Sequence, residues 1–236
     1  MKVAESEGLM QAWLSRLWYE GNRCWVMAAL SMGFSIRFQG GRHIPRSGPV
    51  LLVANHQSFI DPIAIGLATP RQLFYLARKT LFKQPQFGGF LRSVGCVPVD
   101  QEGFARDGLK TTLHLLKEGK AVLVFPEGER TWNGRMQPLK PGITLLMHRS
   151  GVPVVPVGIA GAFTAYPRTQ KLPRLAPPFL PATDATVAVS VGPALEPRGH
   201  IGWPRERVLE ELFKKISEQV DCAEHLRRQS RRCPTC

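Results

Sequence analysis

VLLVANHQSFIDP, residues 50–62, is the stretch from which the fold of this chain can be worked out. The run from Val50 to Ala54 is apolar throughout, which predicts a short buried strand. Asp61-Pro62 then predicts the start of a helix over Ile63 to Ala68, because Asp accepts from the unpaired N–H groups of a first turn and Pro suits the first helical position. His56 and Asp61 are therefore expected to face each other across a tight strand-to-helix turn.

The pair formed by His56 and Asp61 has a recognisable chemistry. A carboxylate that holds one imidazole nitrogen as N–H leaves the other nitrogen to take a proton from a substrate hydroxyl. The spacing alone is weak support, since the chain has six His residues and a lone His in a loop is usually structural. A second, independent group of residues is needed.

Residues 121–130 supply that second group. Ala121 to Phe125 predicts a buried central strand, and Pro126-Glu127-Gly128-Glu129-Arg130 follows it directly. Because ligands gather at the carboxyl ends of parallel strands, these residues are expected at the same sheet edge as His56. Arg130 offers a planar fork for phosphate, Gly128 permits close approach of the backbone to a ligand, and Glu127 either orients Arg130 or binds a substrate hydroxyl.

The rest of the chain alternates strand and helix patterns, which predicts an α/β fold with a mostly parallel mixed sheet flanked by helices. The further strands are predicted at Gln72–Ala77, Val94–Val99, Val154–Ile159 and Thr186–Val191, and the further helices at Gly103–Glu118, Ile143–His148 and Pro204–Arg228. Three loops are predicted: a linker over Arg37–Pro49, a basic loop over Lys79–Gly89 and a long exposed flap over Ala165–Ala182.

The N-terminal region predicts a two-helix hairpin at a membrane interface. An amphipathic helix begins near Leu9, Gly21-Asn22 breaks it, and Cys24 to Ile36 carries no charge but is shorter than the roughly 20 residues needed to span a bilayer. The alternative is that this apolar face packs on the following domain as ordinary core, and the two are compatible. We therefore predict a hairpin at 1–36, a catalytic domain at 37–228 and a basic tail at 229–236.

Charge and cysteine content limit the partners. A formal net charge of +13 calls for an anionic partner, and without zinc-finger spacing or an RNP-type strand we expect an anionic membrane surface rather than nucleic acid. Five scattered cysteines fit a reducing compartment, and no secretory pattern opens the chain, so the expected location is the cytoplasmic face of a membrane. Cys222, His225, Cys233 and Cys236 have zinc-like spacing in a basic tail, but no metal site is expected there.

At this point the chain resembles a known family, the glycerolipid acyltransferases typified by 1-acylglycerol-3-phosphate acyltransferase. Asn55 to Asp61 resembles the first block of the family and Phe125 to Arg130 the third, where Thr is commoner at the position of Glu129. Val154 to Ile159 is similar to the fourth block, an apolar strand lining the acyl region.

The second block is matched less completely. Lys79 to Lys83 and Gly95 to Asp100 resemble it, but Gln101 stands where the family usually has an Arg that contacts phosphate. Lys79, Arg92 and Arg106 are the candidates to supply the missing charge.

The resemblance implies transfer of a fatty acyl group from acyl-CoA or acyl-ACP to the free hydroxyl of 1-acylglycerol-3-phosphate. It implies His56 as general base oriented by Asp61, with Glu127, Gly128, Arg130 and Lys79 binding substrate, and neither a metal nor a further cofactor. Two alternatives stay open: an acyltransferase for another lysolipid or for a lipid hydroxyl without phosphate, and a non-catalytic lipid-binding protein.

Overall fold

The structure, a computed structural model, describes residues 10, 14, 17–21, 24–26, 28–29, 31–99, 104–170, 172–176, 183–196 and 202–228. The strands are β1 Arg37–Gln39, β2 Val50–Ala54, β3 Leu73–Arg78, β4 Cys96–Val99, β5 Ala121–Val124, β6 Val154–Ala160 and β7 Ala188–Val191. We use α1 for the described residues of 10–34, which are helical, and the other helices are α2 Asp61–Ala68, α3 Pro85–Ser93, α4 Phe104–Lys117, α5 Gly142–Ser150, α6 Ala162–Ala165 and α7 Arg205–Arg228.

All seven strands form one sheet in the order β1-β7-β6-β2-β5-β3-β4. Every neighbouring pair is parallel except β6 and β7, so the predicted α/β fold with a mostly parallel mixed sheet is confirmed. In the register of β2, Val53 lies beside Val124 of β5 and beside Pro156 of β6. The residues that follow β2 and β5 therefore emerge side by side at one edge of the sheet.

The alternation of side chains along β2 divides the core into two layers. Val50, Leu52 and Ala54 pack on the face covered by α2, whereas Leu51 and Val53 pack on the face covered by α4, α5 and α7. All five residues of β2 are buried, as a central parallel strand with helices on both faces requires.

Two predicted loops contain regular structure that was not predicted. Arg37–Pro49, predicted as a linker with a turn, has a 3₁₀ turn at Gly41–His43, but its first residues form β1, which pairs in parallel with β7. Lys79–Gly89 is mostly helical: a 3₁₀ turn covers Lys79–Phe82 and α3 begins at Pro85.

The flap predicted over Ala165–Ala182 is less exposed than expected. Its described residues have no regular structure after α6, but Ala165 and Ala176 are buried. The N–H of Ala176 donates to the carbonyl of Gly33 at 2.6 Å, so this segment is fastened to α1. Residues 177–182 lie outside the described part of the chain.

The hairpin predicted at 1–36 stays a prediction, because only part of this segment is described. Gly21, expected to break the helix, is helical, and Asn22 lies outside the described residues. None of the helices that the structure describes is both long and apolar enough to cross a membrane.

Candidate active site

The site begins at Asn55, whose side chain continues the pairing of β2 with β6. Its amide donates to the carbonyl of Ile159 at 3.0 Å and its oxygen accepts from the N–H of the same residue at 2.8 Å. This two-point bond between buried residues fixes where the chain leaves β2, and so fixes the origin of the loop that carries His56.

His56 and Asp61 are joined by the expected hydrogen bond. The Nδ1 atom of His56 lies 2.8 Å from Oδ2 of Asp61, and the carboxylate is fully buried while the His side chain is 18% exposed. With Nδ1 facing an acceptor, the Nε2 atom is the ring nitrogen left to receive a proton.

Asp61 also accepts from the loop itself, and not as the predicted helix cap. The backbone N–H groups of Gln57 and Ser58 donate to the same Oδ2 atom at 2.5 and 2.6 Å. The helix α2 starts at Asp61 and has no side-chain cap. The carboxylate therefore closes the turn that precedes α2 through Oδ2, which has three donors, whereas Oδ1 is buried and has no hydrogen-bond partner among the described residues.

The imidazole ring of His56 is held on a second side by Phe125. The two rings are stacked with their centroids 4.0 Å apart and an angle of 15° between their planes. One hydrogen bond and one stacking contact leave the ring little rotational freedom, which fixes the direction of Nε2.

The backbone of His56 is bonded on both sides to the loop after β5. Its N–H donates to Oε1 of Glu127 at 2.6 Å, and its carbonyl accepts from the N–H of Thr131 at 2.9 Å. The other Glu127 oxygen accepts from the N–H of Gln137 at 2.7 Å. The sequence suggested that Glu127 orients Arg130 or binds a hydroxyl, but both of its oxygens are bonded to backbone amides.

The pKa of the Glu127 carboxyl is shifted from its ordinary value. Burial raises the pKa of its carboxyl to about 7, against the lowering effect of the two N–H donors. The side chain is 2% exposed, so desolvation of the charged form is the dominant effect.

Arg130 lies over Phe59, with the guanidinium carbon 3.4 Å from the ring centroid. Its Nη1 atom is buried and has no hydrogen-bond partner among the described residues. Burial lowers the pKa of the guanidinium, and the positive charge of Arg168 lowers it further. An arginine with an unpaired buried N–H group and a like charge nearby is suited to receive an anion.

The remaining predicted binding residues occupy the same sheet edge. Gly128 has a φ of 80°, a left-handed conformation that glycine adopts readily, and it turns the chain after Glu127. Lys79 follows β3 and is exposed. Gln101, at the position where the resemblance expects an Arg, lies outside the described residues.

Sequence reasoning missed two arginines. Besides Asp61, the charged side chains that affect the pKa of Arg130 are Arg168 and Arg78, neither of which was predicted. Arg92, one of the proposed substitutes for the missing charge, instead lies 5.2 Å from the ring centroid of Phe82. Arg78 is adjacent to Lys79 and could have been found from the end of β3, but Arg168 comes from an irregular segment without a motif.

The described part of the chain contains no group of three or more His, Cys, Asp or Glu residues that could hold a metal ion. Cys222 and His225, two members of the zinc-like set, lie on α7. Cys233 and Cys236 fall outside the described residues.

Comparison with known proteins gives one family. The family profile described as Acyltransferase matches residues 35–160, which is more than half of the 236 residues. The 1-acyl-sn-glycerol-3-phosphate acyltransferase of Bacillus subtilis is 32% identical over 133 residues, covering 56% of this chain and 66% of that protein. The alpha form from Homo sapiens is 31% identical over 128 residues, covering 53% of this chain and 45% of its own.

A solved structure has the same fold. The crystal structure of the 1-acyl-sn-glycerophosphate (LPA) acyltransferase PlsC from Thermotoga maritima aligns with a TM-score of 0.67 at 23% identity, over 84% of this chain and 74% of that one. The chain thus spans 66% or less of the sequence relatives named above.

Proposed function

The chain belongs to the Acyltransferase family, and from this we propose that it transfers a fatty acyl group from an acyl thioester to the free hydroxyl of 1-acylglycerol-3-phosphate. The names of its relatives supply the acceptor, and the resemblance described above supplies acyl-CoA or acyl-ACP as donor. The observation that carries the proposal is the His56–Asp61 bond of 2.8 Å at the sheet edge beside Arg130.

The proposed reaction is a direct transfer. His56 Nε2 takes the proton of the acceptor hydroxyl as its oxygen attacks the thioester carbonyl, and the new C–O bond replaces the C–S bond. The departing thiolate takes the proton back from the imidazolium. A simple thiol has a pKa of about 8.5, so it leaves with little acid assistance. Asp61 stabilises the imidazolium during the step, and the stacked Phe125 keeps the ring in place.

Arg130 is proposed to bind the phosphate of the acceptor. Its planar fork can form two parallel hydrogen bonds to phosphate oxygens, and its Nη1 atom has no partner among the described residues. Fixing the phosphate in this way sets the free hydroxyl beside His56, which is an orientation effect worth several kcal/mol.

We propose that an apolar pocket beside the site holds the acyl chain. It lies against α2, directly after Asp61, and its other walls come from α1, β3 and α3. Its lining includes Pro62, Ile63, Leu67, Phe90 and Leu91. Burial of methylene groups in such a pocket is favourable by about 0.8 kcal/mol each.

We propose a membrane surface as the place where the acceptor is met, on the cytoplasmic side. Large apolar side chains on α1 are exposed to solvent, including Trp18 at 64% and Trp25 at 75%. Tyr19 and Phe34, on the same segment, are buried in the core. One side of α1 thus packs on the domain while the other presents aromatic side chains suited to a lipid interface.

The test is an acyl-transfer assay with purified protein, labelled acyl-CoA and acyl-ACP, and a panel of acceptors. The panel contains 1-acylglycerol-3-phosphate, other lysophospholipids and monoacylglycerol. Preference for the first acceptor supports the proposal. Preference for an acceptor without phosphate would favour the alternative based on Gln101, and the absence of any turnover would favour a lipid-binding protein.

The His56→Ala variant tests the assigned base. We expect turnover to fall by at least about 100-fold, the contribution of a positioned general base, while the circular dichroism spectrum stays unchanged. His148→Ala is the matched control, because His148 is exposed on α5 and takes no part in the site. Turnover by the His56→Ala variant at a rate close to that of the wild type would show that His56 is not the general base.

A further inference from the structure

Arg168 lies in the irregular segment after α6, and a hydrogen bond ties that segment to the His56 loop. The hydroxyl of Ser58, two residues after His56, donates to the carbonyl of Tyr166 at 2.6 Å. The same loop is bonded to α6 itself, because the side chain of Gln57 accepts from the N–H of Phe163 at 3.3 Å. The position of Arg168 beside the active site is therefore set by the same loop that carries the catalytic His.

Three contacts hold the guanidinium of Arg168 in place. Its carbon lies 3.4 Å from the ring centroid of Trp132, its Nη1 donates to the carbonyl of Arg130 at 3.2 Å, and the same Nη1 lies 3.4 Å from Oε2 of Glu129. The carboxylate of Glu129 is 57% exposed, so this ion pair is screened and weak. Among the described residues, no hydrogen bond uses the Nε or Nη2 atom of Arg168.

The guanidinium of Arg168 thus contacts the backbone of Arg130, and both arginines have side-chain N–H groups that the described residues do not satisfy. Arg130 has a buried Nη1 without a partner, and the charge of Arg168 lowers the pKa of Arg130. Arg78 at the end of β3 acts on Arg130 in the same direction. Repulsion between like charges in a partly buried site raises the free energy of the protein unless an anion binds between them.

We propose that Arg168 is a specificity-determining residue that binds the phosphate of the acceptor together with Arg130. It supplies the second guanidinium that the family resemblance places at position 101, where this chain has Gln. The inference rests on the proposed function for the identity of the acceptor. The chemistry that it assigns, a phosphate monoester between two arginines, does not depend on turnover.

The kinetic test compares Arg168→Gln with the wild type. For 1-acylglycerol-3-phosphate the KM should rise at least about tenfold with kcat kept within about threefold, because the lost contact binds the phosphate and not the reacting atoms. Arg168→Lys should give an intermediate KM, since it keeps the charge without the fork. Arg207→Gln is the matched control: Arg207 likewise lies over a tryptophan, Trp203, at 4.1 Å, but on α7. Its KM should not change.

A binding test separates the two proposals. sn-Glycerol 3-phosphate is titrated into His56→Ala protein and into the His56→Ala/Arg168→Gln double variant, with binding followed by calorimetry. Binding that is lost in the double variant supports the role of Arg168 even if the wild type prefers another acceptor in the assay. Equal binding by both proteins, or an unchanged KM in an active Arg168→Gln enzyme, overturns the inference.

Discussion

Glu127 is bonded through both carboxylate oxygens to backbone amides of the site. It accepts from the N–H of His56 with one oxygen and from the N–H of Gln137 with the other, so it joins the His56 loop to the loop after β5. In its ionised form a glutamate side chain offers two acceptors and no donor, which matches the two backbone N–H groups that it meets here. We infer that Glu127 positions His56 through the backbone.

The acidity of Glu127 gives a prediction about stability and pH. Its folded pKa of about 7 lies above the ordinary value of 4.5, so between these values the folded chain holds a proton that the unfolded chain has lost. The free energy of unfolding should therefore fall as pH rises through this window, by up to about 1.4 kcal/mol per pH unit, and level off above pH 7.

Glu127→Gln isolates this effect, because glutamine does not titrate. The free energy of unfolding of both proteins is measured by denaturant titration from pH 4 to pH 8. Relative to the variant, the wild type should become less stable as the pH rises to about 7, and the difference should then stay constant. A difference that is constant over the whole range would show that the carboxyl has no raised pKa.

At the residue scale, motifs predicted the positions of the principal groups but not all their partners. The pairing of His56 with Asp61 followed from a spacing of five and the strand before it. The stacking of Phe125 on His56 could not be predicted, because it depends on the register between β2 and β5. Arg168 has no sequence signal, since only the fold brings a residue after α6 beside Arg130.

At the scale of elements, the contact of α7 with β6 depends on a glycine. A side-chain carbon at Gly158 would lie 2.1 Å from the backbone of Gln219 and 2.2 Å from that of Val220. The helix can approach the strand this closely only because Gly158 has no side chain. The long helix is thereby packed against β6, β7 and β1, on one side of the sheet.

Gly158→Ala should destabilise the protein by about 1–3 kcal/mol, the usual cost of overpacking a closed contact. Gly66→Ala is the control: it lies in α2, has no atom within 4 Å of the added carbon, and should be neutral or stabilising by up to about 1 kcal/mol. Both are measured as unfolding midpoints in urea. Equal stability of the two variants would mean that α7 can withdraw from β6 at little cost.

The elements that the sequence failed to predict share a physical cause. β1 is three residues long in a stretch rich in Gly, and it becomes a strand only through pairing with β7, some 150 residues away. α3 contains Gly88 and Gly89, which lower its intrinsic helix propensity. The long apolar strands and the periodic helices α4 and α7 were predicted to within a few residues, because their patterns determine their structure locally.

At the scale of the whole molecule, charge and exposed aromatic side chains together favour binding to anionic lipid. The net charge of +13 attracts such a surface over a Debye length, and the exposed tryptophans of α1 can then insert at the interface. The expected result is binding that weakens with added salt but does not vanish, because insertion of apolar surface is not screened.

Vesicle sedimentation tests this expectation. The double variant Trp18→Ala/Trp25→Ala should bind vesicles that contain phosphatidylglycerol at least about tenfold more weakly than the wild type at 0.5 M NaCl. Each substitution removes apolar surface that the membrane would otherwise bury. Leu145→Ala serves as control, because Leu145 is an exposed apolar residue on α5, on the opposite face of the sheet from Phe34 of α1. A double variant that binds as tightly as the control would assign the contact to another surface.

The bonds around His56 also determine when the site can exist during synthesis. Asn55, His56 and Ser58 bond to partners that follow them by 104, 71 and 108 residues. A ribosome has therefore made the His56–Asp61 segment long before it makes the residues that shape it. Closing such distant contacts is slow, so the nascent chain passes through most of its synthesis without a competent site. The hydrogen bonds that shape the site then form only in molecules whose sheet has closed around β2.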